Sequence, residues 1–155
     1  MVRNRQAARH DQPGRGLFLN SGGTTKLIAR SGDPIKGTTY NFTDFNVPVV
    51  NSNGDIAFGG YFGGRSRGIF LKTAKGIEKV VATEDPVPGG GKEEVFSAIA
   101  PPLLNDRGEI VFLAQSKSPN FQVNIGVYLR DQKGVLRAIA KRGDKMPGNQ
   151  ADTLK

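Results

Sequence analysis

Three aspartates, Asp33, Asp85 and Asp144, each open one short pattern, Asp-x-apolar-x-Gly. Three carboxylates at one equivalent position could ring a pore and hold a cation. A side chain that recurs in every unit more often serves the unit's own fold, and a turn-capping role is expected for all three. Asn51, Asn53 and Asp55 alternate amide and carboxylate oxygens around Gly54, which is the layout of a calcium loop. The related stretch has Arg107 in place of Asn53, and no glutamate follows at the required distance, so a hairpin turn is expected instead. His10 is the single histidine and cysteine is absent. No Ser-His-Asp arrangement and no multi-His or thiolate metal site can therefore be assembled within the chain. Hydrolysis by paired carboxylates would have to use residues such as Glu93, Glu94 or Glu109, and nothing pairs them at a cleft. Gly89-Gly90-Gly91 lacks the following Lys-Ser/Thr of a phosphate loop. The expectation is a protein that is not an enzyme, with no cofactor and no metal.

Binding residues are sought where aromatic and basic side chains meet. Tyr61 with Arg65 and Arg67 forms one such group, and Lys117 with Phe121 forms another. Rings beside cations suit sugars, acidic glycans or nucleic acid. The net charge of +8 also suits an acidic partner or an anionic membrane surface. The charges are nevertheless spread along the chain, and the densest cluster, Arg3, Arg5 and Arg9, lies near the N-terminus. A glycan or polyanion is the expected ligand class.

The elements that hold these groups come from an internal repeat. Val47–Phe58 (VPVVNSNGDIAF) returns as Pro102–Phe112 (PLLNDRGEIVF), with Asn51, Gly54 and Phe58 matched by Asn105, Gly108 and Phe112. Each stretch predicts a strand A, an Asn/Gly turn and a strand B. Gly68–Leu71 and Gly126–Leu129 then predict strand C, and Ile77–Ala82 and Val135–Ala140 strand D. Gly16–Leu19 aligns with the C strands and Lys26–Ala29 with the D strands, so the chain reads CD, ABCD, ABCD. The longest loop is expected over Ser116–Asn124. Domain boundaries follow as a disordered tail at 1–14, an incomplete unit at 15–46, and full units at 47–100 and 101–155. Gly (21 residues) and Pro (9 residues) punctuate the chain too densely for long helices.

Four short antiparallel strands in a unit of about 50 residues is the content of one propeller blade. The fold class is accordingly all-β with propeller-like blades, the alternatives being a β-sandwich or an open stack of sheets. Such units bury their faces only against neighbours. Self-association, or packing against further repeats of a longer parent, is therefore the expected partnership, and a scaffold or interaction module the expected function.

The pattern Asn-x-x-Gly-x-x-Ala-Phe, intact at Asn51, Gly54, Ala57 and Phe58 and recurring at Asn105, Gly108 and Phe112 with Val111 for Ala, resembles the NxxGxxAF tandem-repeat family. The glycine–Ile–Phe strand and the Gly-Asp…Pro-Gly loop are also similar to it, so the resemblance runs from Gly16 to Gly148. It implies a bacterial secreted or surface β-repeat protein without known chemistry. The chain itself shows no apolar run of membrane-spanning length and no signal-peptide core at its N-terminus.

Overall fold

The Asn-x-x-Gly stretches fold as tight turns closed by their own side chains. Asn51 Oδ1 accepts hydrogen bonds from the N–H groups of Asn53 (3.1 Å) and Asp55 (2.9 Å). The Gly54 N–H donates to the Asn51 carbonyl at 3.1 Å, and Gly54 takes a φ of 80°, which a side chain would oppose. Asn105 repeats this with Arg107 (3.0 Å) and Glu109 (2.9 Å). Asp131 builds a third such turn, accepting from Lys133 and Val135 at 2.9 Å each.

A computed structural model describes residues 14–145. The predicted tail at 1–14 lies outside the described residues except for Gly14, and residues 146–155 lie outside as well. Twelve strands are described, with no helix among them: β1 (Gly16–Ser21), β2 (Thr24–Arg30), β3 (Phe42–Phe45), β4 (Val49–Val50), β5 (Ile56–Phe62), β6 (Ser66–Thr73), β7 (Gly76–Ala82), β8 (Val95–Ile99), β9 (Leu103–Leu104), β10 (Ile110–Lys117), β11 (Val123–Arg130) and β12 (Leu136–Lys141). They form three antiparallel sheets, β1-β2, β3-β5-β6-β7 and β8-β10-β11-β12, and none closes into a barrel.

Strand A is broken in both full units. β3 pairs with the far end of β5 and β4 with its near end, just as β8 and β9 share β10. Pro48 and Pro101-Pro102, which have no N–H to give a ladder, stand at the breaks. Pairing therefore begins at Phe42 and Val95, ahead of the Val47 and Pro102 expected from sequence. The expected long loop at 116–124 is shorter, because β10 and β11 continue to Lys117 and Val123 and leave only 118–122 between them.

The sheets share two cores. Leu17 and Ile35 pack with Phe42, Phe58, Phe62 and Phe70 between the first and second sheets. Ala57, Ile69, Leu71 and Val81, on the other face of the second sheet, pack with Phe96, Phe112 and Tyr128 of the third. Ile56, Ala57 and Phe58 are thus all buried, because β5 has a covered face on either side. Ring geometry repeats with the sequence. Phe58 stacks on Phe70 at 5.7 Å and 23°, and Phe112 on Tyr128 at 5.7 Å and 21°. Phe42 meets Phe70 edge-on at 4.8 Å, and Phe96 meets Tyr128 edge-on at 4.9 Å. In the second unit Gly60 leaves room for the rings, since a Cβ there would lie 2.8 Å from both Phe42 and Phe70.

Candidate functional site

The three recurring aspartates are engaged in their own turns. Asp33, Asp85 and Asp144 each accept the backbone N–H three residues earlier, from Arg30 (2.9 Å), Ala82 (2.8 Å) and Lys141 (2.7 Å). Asp85 also meets Lys79 at 2.9 Å. Among the described residues no cluster of three or more carboxylate or imidazole groups is placed to hold a metal. The repeated Asn residues likewise serve structure. Asn51 Nδ2 donates to the Asn105 carbonyl at 3.1 Å and the Ser52 N–H to Asp106 Oδ1 at 2.9 Å, so the two A–B turns stack on each other.

The aromatic and basic candidates lie near one end of the sheets. Tyr61 and Arg67 are cross-strand partners on β5 and β6. They line a crevice with Ile99, Ala100 and Pro101 whose volume is about 10 Å³, room for one water. The Arg67 carbonyl accepts the Thr83 N–H at 2.9 Å, which brings in the following loop, where Glu84 pairs with Lys117 at 2.7 Å. Tyr61, Arg67 and Lys117 thus belong to one rim, with Lys117 already neutralised by Glu84. Arg65 is exposed in the turn between β5 and β6. Phe121 is 85% exposed at the tip of 118–122, with a φ of 61°, a conformation rare for a bulky residue.

A polar group built on Glu94, which sequence reasoning named only as an unpaired carboxylate, lies beneath that tip. Ser116, 1% exposed, donates to Glu94 Oε1 at 2.5 Å, and Glu94 Oε2 accepts the Gly91 N–H at 2.9 Å. Tyr128 is buried beside them. In the second unit the equivalent positions hold Tyr40, Phe62 and Phe70, with ring contacts at 5.7 and 6.1 Å. An aromatic cluster in one unit is therefore a hydrogen-bonded cluster in the next. The signal was available in the aligned units, as Phe62 opposite Ser116. Beside Glu94 an open groove of about 530 Å³ is lined by Ser118, Gln122, Asn124 and Arg142.

A family model described as a family of unknown function (DUF7453) matches residues 2–154. The chain belongs to that family. No curated protein and no solved structure matches it. In this DUF7453 member the electrostatics follow the hydrogen bonds. The Ser116 hydroxyl, helped by the Gly91 N–H and Lys141, holds the Glu94 carboxyl below its ordinary value against partial burial. Burial, and then the Glu94 charge, push the Tyr128 hydroxyl up. Glu94 is thus an ionised acceptor and Tyr128 a neutral phenol. Ser116 lies under the surface, where it can hold Glu94 but cannot meet a substrate.

Proposed function

We propose that the chain is a non-catalytic scaffold of blade-like β-units that acts by self-association, in the manner of a propeller completed between chains. One observation carries the reading. The same aromatic-on-aliphatic interface is built twice between the three sheets, and each end of the stack keeps large apolar residues in solvent, Phe18 and Leu27 at one end and Leu103 and Leu113 at the other. Contiguous exposed apolar faces are a common mark of interaction sites. The resemblance to NxxGxxAF repeats supports a place outside the cell or on its surface. Light scattering across a hundredfold dilution tests the reading. A mass that falls on dilution supports it, and an invariant monomer mass rejects it.

A second reading is supported by the groove beside Glu94. Its amide, hydroxyl, carboxylate and guanidinium lining, with exposed Phe121 nearby in the same loop, suits a carbohydrate better than an apolar ligand. Neutral and acidic glycans tested in parallel against wild type, Phe121→Ala and Gln122→Ala would decide it. Binding that both substitutions weaken supports the reading; no binding to either class removes it.

A further inference from the structure

The stack has a direction. Leu17 of the first sheet, whose Cα partner is the buried Ala29, lies against Phe42, Phe58 and Phe70 of the second. Ile69 and Val81, Cα partners in the second sheet, lie against Phe96, Phe112 and Tyr128 of the third. Both interfaces therefore join an aliphatic face to the aromatic face of the sheet that follows it in sequence.

The third sheet has its own aliphatic face at the same register. Val127 and Ala140 are Cα partners, as Ile69 and Val81 are, and Leu113 is the partner of Val127 on the other side. Val127 and Leu113 alternate with buried Tyr128, Phe112 and Ala114, so they point away from the second sheet. Leu103 and Leu113 on this face are 67% and 49% exposed. At the other end, Phe18 holds the position of Phe70 and Tyr128. It lies over Gly16 opposite its partner Leu27, and is 60% exposed. Among the described residues this is the aromatic face that no sheet covers.

We propose that a second copy of this chain seats its Phe18–Leu27 face on the Leu113–Val127 face of the first, extending the stack head to tail. The proposal rests on the self-association reading and adds its polarity and its residues. The occupant follows from the two interfaces already built, since an aliphatic face of this fold takes an aromatic one in both. A head-to-tail contact is heterologous, with different patches on the two partners, and closes into a ring or extends according to its rotation.

The polarity is tested with Phe18→Asp and Leu113→Glu in the full chain, with Leu103→Glu as a second block of the aliphatic face should Leu113→Glu unfold. All three positions are exposed, and melting curves would confirm that each variant keeps its fold. Each variant alone should associate at least about tenfold more weakly than wild type, because a carboxylate enters the centre of the contact. An equimolar mixture of Phe18→Asp with Leu113→Glu should recover a complex of one chain each, since each supplies the face the other lacks. Wild-type association with unweakened variants, or with a mixture that stays monomeric, overturns the head-to-tail assignment alone. A monomeric wild type overturns self-association itself and the proposal with it.

Discussion

Asn51 and Asn105 occupy equivalent turns but do not carry equal weight. Each side-chain oxygen accepts two backbone N–H groups. Asn51 alone also donates to the neighbouring turn, at the Asn105 carbonyl. Asn105→Ala should cost about 1–2 kcal/mol, and Asn51→Ala measurably more, read from urea midpoints at constant m-value. Glu94 gives a pH signature. Its carboxyl titrates below its ordinary value in the fold because Ser116 donates to the charged form. The charged form is therefore favoured on folding. Its contribution is complete above the unfolded value of about 4.3 and is lost as pH falls through the lower folded value. The stability gap between wild type and Glu94→Gln should be constant near neutrality and shrink below about pH 4, as urea titrations at pH 7 and pH 3 would read. A gap that widened in acid would contradict the assignment.

At the scale of elements, packing in the two full units is so alike that matched substitutions should behave alike. Phe58→Ala and Phe112→Ala each empty a buried ring position between stacked and edge-on neighbours, and each should cost about 3–5 kcal/mol in chemical denaturation. The units part at Tyr40–Phe62 and Glu94–Ser116. Glu94→Tyr or Ser116→Phe alone sets a ring against a polar group and should destabilise. The double change rebuilds the second unit's cluster and should couple favourably, by about 1–3 kcal/mol in a double-mutant cycle. Sequence made much of this level readable. Asn and Gly mark the turns because φ near 80° and an accepting side chain are local needs, and short apolar runs mark β5 and β6 because both faces of their sheet are covered. β3 and β8 escaped notice because the prolines cut strand A into pieces too short to show a period, and their pairing with distant halves of β5 and β10 is tertiary. The polar cluster was hidden for a related reason. Ser116 looked like loop until its pairing with Phe96 placed it in a strand facing the core.

On the scale of the whole molecule, the sheets form a directional array with unlike ends. The repeat could be read from sequence, and so could the need of each unit for neighbours. Which residues face outward at each end could not, because Phe18 and Leu113 are as apolar as the residues that are buried. The net charge of +8 is untouched by ion pairing, since each pair joins a cation to an acid already subtracted. Six cations take part in ion pairs with Asp or Glu among the described residues, including Lys117, which had been a binding candidate. The direct test of the account is the native mass of the wild-type chain at tens of micromolar. Self-association through the stack ends predicts species at multiples of 16.6 kDa that dissociate on dilution. A single 16.6 kDa species at every concentration would contradict it.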